Sequence, residues 1–455
     1  MSFRAVRAIV AFAFLVALVG IPISEAWASS STFSYTGNAA TFTVPANVYS
    51  LTVSMQGGAG GSGGSDGNAG GVGGTYTGTI SGTISVTPGQ VINIAVGSGG
   101  GTGASSAANS GGGTAGTNPT AAYNGGVGGN AGNSGTSGSG GGGGAATVIQ
   151  VNSINVIAGG GGGAGGGDNS TSVSGNSNVQ NPTSGSYTTG TTGQAGNEPP
   201  GDGGGSGAGG GGAVGGAAGS ASGHGPANSS EYVGYGGNAG SSSTGSISGL
   251  TASTTSATAG TNGFVTFTYT ALIAQNALTL SNGNGNYGTN YSLNASGGSG
   301  TGALTYAYVS GPCTVSGSSI TPTGTGTCVV NATKAADSTY LSTTTSNANI
   351  VFASGISTLA LNIVSTALIY RTASNITAIT NVAGRVDFKV NGKYIPNCRN
   401  LKATSGNSYT VVCPYKPAIQ APVTVNAVFS PSDTGFASSL TSTAVLSVQR
   451  RAALR

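Results

Sequence analysis

The stretch Ile154-Asn155-Val156-Ile157-Ala158, followed without a break by Gly159-Gly160-Gly161-Gly162-Gly163-Ala164-Gly165-Gly166-Gly167, sets the problem this chain poses. The first five residues read as a strand: short, apolar and rich in β-branched side chains. The nine that follow carry almost no side chain. Glycine loses more backbone freedom on ordering than any other residue. Such a run is therefore either a flexible linker or a segment held by many backbone hydrogen bonds. A Gly/Ser linker does not need patterned strands at its edges. A packed array of extended threefold helices does, because a sheet fixes where each segment enters and leaves. A single polyproline-II-type helix has no internal hydrogen bonds. Side by side, such helices can bond N–H to neighbouring C=O, with Cα–H···O contacts added, provided no inward Cβ holds them apart.

The same layout recurs outward from this point. Leu51-Thr52-Val53-Ser54-Met55 alternates with period two and leads into Gly57-Gly58-Ala59-Gly60-Gly61. Thr75 to Val86 is rich in Thr, Ile and Val, and the turn Pro88-Gly89-Gln90 separates it from Val91-Ile92-Asn93-Ile94-Ala95-Val96. The run Gly140 to Gly144 is followed by Ala146-Thr147-Val148-Ile149. Thr32 to Thr36 and Ala40 to Pro45 alternate at one end, and Gly263 to Tyr269 at the other. This pattern predicts one domain over 29–275 whose sheet is closed by its last strand. Segments 168–200 and 217–255, rich in Ser, Thr and Asn, support the packed reading least.

Composition bears on the choice between linker and scaffold. Of 455 residues 88 are glycine, most of them between 57 and 249; the 15 prolines are too few for collagen, and no Gly-X-Y period runs through the chain. Charged residues make up 5%, against about 25% in an ordinary globular protein. Yet the hydrophobic fraction is 37% and the formal charge only +4, unlike the low hydrophobicity and high charge of disordered chains. Arg4 and Arg7, the apolar run Ala8 to Val19 and Ala26-Trp27-Ala28 read together as a secretory signal peptide over 1–28. The alternative is an N-terminal membrane anchor. No other segment approaches the ~18 apolar residues of a span. The mature chain is thus expected to carry no transmembrane span and to lie outside the cell or on its surface.

Residues 276–354 and 355–449 change character: glycine thins out and short strands recur with turn signals, a sandwich pattern. Each module holds two cysteines, Cys313/Cys328 and Cys398/Cys413, both 15 residues apart. Four cysteines allow three connectivities. Pairing inside each module is expected, and a loop of that size stabilises by about 3 kcal/mol in the chain-entropy model. Zinc is disfavoured, since there is no C-x-x-C and the one histidine, His224, lies elsewhere. Val330-Asn331-Ala332 before Asp337 to Tyr340 matches Val425-Asn426-Ala427 before Asp433 to Phe436. Here an Asp opens a turn ahead of an aromatic expected to plug the sandwich end. The rival reading, a calcium ligand, has too few carboxylates nearby.

Phe42-Thr-Val-Pro45, Leu51-Thr-Val53 before Gly57 to Gly61, Thr87-Pro-Gly-Gln90, Ile92-x-Ile94-x-Val96-Gly97, Tyr123-Asn-Gly-Gly126 and Ile157-Ala-Gly-Gly-Gly161 resemble, in that order, a bacterial secreted glycine-rich domain. The layout is also similar to the glycine-rich extracellular region of anaplastic lymphoma kinase type receptors. The resemblance covers 31 to about 270 and implies a β-sandwich with an inserted polyglycine-II helix bundle. The receptors' cytokine binding is not carried over, because this chain has neither kinase nor transmembrane span. The two C-terminal modules resemble bacterial immunoglobulin-like repeats, which space or display other domains. The expected fold is all-β: this sandwich followed by two immunoglobulin-like β-sandwich modules and a basic tail, 450–455.

Charge is uneven. Residues 29–275 hold no Lys or Arg and five acids: Asp66, Asp168, Glu198, Asp202 and Glu231. The second module carries Arg371, Arg385, Lys389, Lys393, Arg399, Lys402 and Lys416, and Arg450, Arg451 and Arg455 follow in the tail. Those seven module cations are candidate contacts to an anionic envelope polymer or acidic glycan, against the plainer reading of a solvated face. With one His and nine Asp/Glu, the chain is short of the groups that acid–base, nucleophilic or metal chemistry needs. No Gly-Lys-Ser/Thr follows any glycine run, so phosphate cradles are not expected, and no catalytic residue, cofactor or metal is assigned. The basic module has few aromatics to interleave, which argues against nucleic acid. The leading expectation is a non-enzymatic structural or adhesive surface protein whose partner is an envelope polymer, a glycan or another surface protein. A carbohydrate-binding protein, suggested by Tyr123, Tyr187, Tyr232 and Tyr235 in polar loops, comes second. A secreted hydrolase is third.

Overall fold

The computed structural model describes residues 27–65, 76–105, 110–132, 137–167, 189–192, 204–219, 223–224, 232–363, 367–437 and 440–450. The signal peptide expected over 1–28 lies outside these except for its last two residues. Tyr187, the five acids of 29–275, most of 168–200 and all but the first residue of the basic tail also lie outside them. The chain forms two compact units, Met1–Ile273 and Ala274–Arg455.

The first unit is built on strands β1 (Ala28–Ser34), β2 (Ala40–Thr43), β3 (Ser50–Gln56), β4 (Tyr76–Ser85), β5 (Val91–Ala95), β6 (Thr147–Val151), β7 (Ile154–Ala158), β8 (Gly223–His224), β9 (Tyr232–Val233), β10 (Leu250–Ser256) and β11 (Phe264–Thr270). Two sheets pack face to face, one in the order β1-β11-β3-β4-β10 and the other β2-β5-β6-β7. Alternate residues point inward, as period-two patterning requires. Leu51, Val53 and Met55 of β3 meet Ile92 and Ile94 of β5 and Phe267 of β11 in one buried core. The last strand does not close an edge: β11 sits between β1 and β3, antiparallel to both. The edge is taken by β10, which pairs with β4. Its sequence, Leu-Thr-Ala-Ser-Thr-Thr-Ser, falls at the end of the 217–255 stretch, where the packed-helix reading had least support. Being an edge strand, it buries little, so serine and threonine suffice there.

Glycine segments leave and enter this sandwich at one end. The chain passes directly from β3 into 57–65, from β5 into 97–105 and from β7 into 159–167, and from 137–146 into β6. Residues 138–146 lie at the centre of an array. Gly138, Gly141 and Gly144 donate their N–H to Gly167, Ala164 and Gly161; Ser139, Gly142 and Ala145 to Ala104, Gly101 and Ser98; Gly140, Gly143 and Ala146 to Gly129, Gly126 and Tyr123. Their carbonyls are used in the same rotation. Ser139, Gly142 and Ala145 accept from Gly64, Gly61 and Gly58; Gly140 and Gly143 from Gly113 and Gly116; Gly138, Gly141 and Gly144 from Gly205, Ala208 and Gly211. These bonds are 2.8 to 3.1 Å long. Every third residue faces the same neighbour, so the segment turns once in three residues and has six segments around it. No glycine of 138–144 has positive φ.

The segments touch through their Cα atoms as well. A Cβ placed on Gly140, Gly141, Gly142, Gly143 or Gly144 would overlap a carbonyl oxygen of another segment. Backbone on that side cannot move without breaking its own hydrogen bonds. Gly111, at the rim, has open space where its Cβ would go. We therefore expect Gly143→Ala to destabilise the first unit by about 2 kcal/mol or more, and Gly111→Ala to stay within about 0.5 kcal/mol of the parent. Denaturant melts of the two variants check this; equal effects would mean the array tolerates side chains.

The second unit holds two sets of sheets with one plan. In the first set, 278–280 pairs antiparallel with 295–297, whereas 283–286 pairs parallel with the final strand, 348–353. In the second, 359–362 pairs antiparallel with 374–380 and 367–369 pairs parallel with the final strand, 440–449. A first strand that divides itself between two sheets is an immunoglobulin-like arrangement, and both modules are sandwiches of this kind. Both cysteine pairs are bonded locally, Cys313 to Cys328 and Cys398 to Cys413. Cys313 belongs to the sheet of 291–292, 319–322 and 313–316, and Cys328 to the facing strand 326–334, so the bond staples one sheet to the other. All four sulfurs belong to buried residues within the module cores.

Candidate functional site

Three places in the described residues gather polar side chains in defined geometry. The first is the basic face of the second module. Strand 384–390 alternates, turning Val386 and Phe388 into the core and Arg385, Asp387 and Lys389 outward. The hairpin to 393–394 is made by Asn391 and Gly392, both at positive φ, and it sets Tyr394 directly opposite Lys389. The Lys389 ammonium lies 4.6 Å and the Arg399 guanidinium 4.1 Å from the centre of the Tyr394 ring. Each such contact contributes roughly 0.5–1 kcal/mol at an exposed site. Arg385 faces Lys402 across the 384–390/401–403 pair. Two like charges directly opposite each other repel. Strand register sets these two cations side by side. Asn400 donates its N–H to Asp387 Oδ1 at 2.6 Å and accepts from Arg385 at 3.4 Å, tying the loop back to the strand.

Of the seven cations expected as contacts to an anionic polymer, Arg385, Lys389, Arg399 and Lys402 share this face with Tyr394. Lys393 follows at the hairpin, opposite the inward-side residue Val390. Arg371 and Lys416 belong to a separate place, where the Arg371 N–H donates to Pro417 O and its guanidinium lies 5.2 Å from the Tyr370 ring centre.

The second place is the joint inside the second unit. Asp433 accepts from Gly435 N at 2.8 Å, so the expected Asp turn forms. Phe436, however, does not plug its own sandwich. Its ring stands edge-on to Tyr287 of the first module, centroids 5.4 Å apart. Tyr287 OH donates to Asp433 Oδ2 at 2.7 Å, and Gly355 in the connecting segment gives its N–H to Gly435 O. A Cβ at Gly355 would strike both Tyr287 O and Phe436, so only glycine fits between them. The hydrogen bond from Gly435, and then that from Tyr287, holds the Asp433 carboxyl below its ordinary value, while the Tyr287 hydroxyl is raised by the same bond. The matching residue in the first module, Asp337, accepts from Thr339 N, Thr301 N and Tyr340 N and is brought down to about 2.

The third place is a cavity of about 290 Å³ on the outer face of the β2-β5-β6-β7 sheet. Asn93, Gln150 and Asn155 stand in line across β5, β6 and β7, and Tyr123 closes one side. Of the tyrosines singled out in the sequence, Tyr123 is the one in this cavity; Tyr235 is exposed within the glycine array, and the side chains of Tyr187 and Tyr232 lie outside the described residues. The aligned amides carry no sequence motif, because their alignment comes from strand register. Among the described residues, no group of three or more His, Cys, Asp or Glu could hold a metal ion, and no helix is long and apolar enough to cross a membrane.

No protein family matches the chain, and no curated protein does. Among solved structures it is similar to a chimeric titin Z1Z2 functionalised with a decorin peptide, at 14% identity and a TM-score of 0.21, over 39% of this chain and 99% of that one. The titin domains Z1Z2 in complex with telethonin match at 13% identity and a TM-score of 0.22, over 40% and 100%. A titin Ig tandem matches at 10% identity and a TM-score of 0.16, over 39% and 99%. At such scores the likeness says nothing about relationship or activity.

The two Asp turns, at Asp337 and at Asp433, carry a pH dependence with a definite sign. A carboxylate whose folded value is depressed stabilises above its ordinary value, 3.8 here, and that contribution is lost as pH falls toward the folded one. The second unit is expected to lose stability between about pH 4 and about pH 2, with Asp337→Asn flattening part of that slope in acid melts. Tyr287→Phe keeps the ring contact and removes the hydroxyl. An NMR titration should then find the Asp433 value moved up toward 3.8.

Proposed function

We propose that this chain is a non-enzymatic extracellular or cell-surface protein in which a glycine-rich head is displayed on two immunoglobulin-like spacers. The observation that carries the reading is the hydrogen-bonded glycine array. Its segments turn once in three residues and saturate one another's backbone groups, as polyglycine-II helices packed in a bundle would. Such a body is rigid, and its interior carries no reactive side chains. The described part of the first unit has no Asp, Glu, Lys or Arg at all. This supports a role in shape and display, and it fits the resemblance to secreted glycine-rich domains.

The basic face around Tyr394 is read as the contact to the producing cell. Four cations against one carboxylate, Asp387, leave this small surface with a positive excess that suits a polyanion. An anionic envelope polymer or an acidic glycan supplies that charge. Fractionation of the producing cell tests both parts. The protein should sediment with envelope material at low salt and leave it at about 1 M salt, where the screening length is about 3 Å. The variant with Arg385, Lys389, Arg399 and Lys402 all changed to Gln should appear in the medium at either salt concentration. Retention in the cytoplasm would refute the extracellular reading, whereas salt-insensitive sedimentation would refute only the electrostatic contact.

A further inference from the structure

The outer face of the β2-β5-β6-β7 sheet is built in rows that run across the strands. The row nearest the glycine array is apolar: Ala95, Val148 and Ile157 are in register, and they are buried together with Tyr123, Ala146 and Ala213. The next row is made of amides. Asn93 donates from Nδ2 to Gln150 Oε1 at 3.2 Å, Gln150 from Nε2 to Asn155 Oδ1 at 3.2 Å, and Asn155 from Nδ2 to Tyr123 OH at 3.0 Å. The chain of bonds runs in one direction. Each amide group has two donor hydrogens and two acceptor lone pairs, so each retains capacity for a further partner. Asn93 is exposed, and Gln150 and Asn155 are half-buried, so that capacity faces the cavity mouth.

The wall opposite the sheet is fixed in place. Asn118 is 4% exposed; its Nδ2 donates to Ala95 O and Ala146 O, while its Oδ1 accepts from Thr120 N and Thr120 Oγ1. Asn124 Oδ1 accepts from Asn118 N, and Ala146 gives its N–H to Tyr123 O. The turn that presents Thr120 and Tyr123 is therefore locked to the ends of β5 and β6 before any ligand arrives. Preorganisation of this kind lowers the ordering cost of binding.

We infer that this cavity binds a neutral glycan, with a sugar ring lying over the amide row beside Tyr123. The lining contains no charged residue, which removes the attraction an acidic or basic ligand would need. It offers an apolar floor for the C–H face of a ring and a row of paired donors and acceptors for vicinal hydroxyls. At about 290 Å³ it falls just below the roughly 300–1,000 Å³ range of drug-sized ligand sites, room for one monosaccharide unit with its neighbours projecting outside. The inference is independent of the basic face, which is in the other unit.

Calorimetric titration of the full chain with maltohexaose, cellohexaose, laminarihexaose and chitohexaose tests it, with an alginate hexamer as the acidic comparison and an uncharged peptide as the alternative occupant. At least one of the four neutral hexamers should bind, with an affinity unchanged between about 0.05 and about 1 M salt. Gln150→Leu and Asn93→Ala, the latter at an exposed position, should each weaken binding about tenfold or more while the thermal transition stays in place. A variant neutralised at Lys389 and Arg399 should bind as the parent does. The inference fails if none of the four binds up to about 10 mM. It also fails if both amide variants bind like the parent, or if only the alginate or the peptide is taken up.

Discussion

The structure depends on one constraint: a chain without side chains has nothing to bury except its own backbone. A buried N–H or C=O without a partner costs as much as a lost hydrogen bond, and glycine brings the largest entropy loss of any residue. Net, each backbone hydrogen bond returns only about 1 kcal/mol. A glycine segment therefore holds its place only when nearly all its groups are satisfied at once, as in 138–146 with its six neighbours. Fewer neighbours would leave it a linker. This makes the array cooperative and explains why the sandwich is required. By fixing the ends of β3, β5, β6 and β7, the sheets hold the segments in the register that their hydrogen bonds need.

The two units solve the problem of stability by different means. The first relies on backbone packing beyond a conventional apolar core. The second relies on small alternating cores, each stapled by one buried disulfide, between two sheets at Cys313–Cys328 and from a loop to a strand at Cys398–Cys413. Its joint uses a tyrosine hydroxyl, an aspartate and two facing aromatic rings, with a glycine between them. Each module alone is small, and the joint adds contacts that neither can make by itself.

The strands beside the glycine runs were legible because β-branched residues at period two stand out against glycine. The local cysteine pairs were legible because each lay within one strand-rich module. The edge strand β10 was not, since exposed Ser and Thr serve an edge as well as a loop. The final strand 440–449, whose burial alternates half-buried and exposed over most of its length, was hidden for the same reason. Two features needed topology. Seven cations fall within 46 residues, and only the strand order shows that Arg371 and Lys416 lie apart from the Tyr394 group. Asn93, Gln150 and Asn155 looked like three unrelated polar residues until register placed them in one row. Phe436 was read as a plug because sequence shows that an aromatic follows the turn but not which module it faces.

The scarcity of charge in the first unit has a thermodynamic consequence. Stability changes with pH only where the folded and unfolded chains bind different numbers of protons. The described part of that unit offers no Asp, Glu, Lys or Arg through which such a difference could arise. Its described hydrogen-bonded interior therefore has no carboxylate or amine through which acidity could act, and no ion pair among the described residues for salt to screen. Among the described residues, the depressed carboxylates through which acid acts on folding are those of the Asp-bearing turns in the second unit.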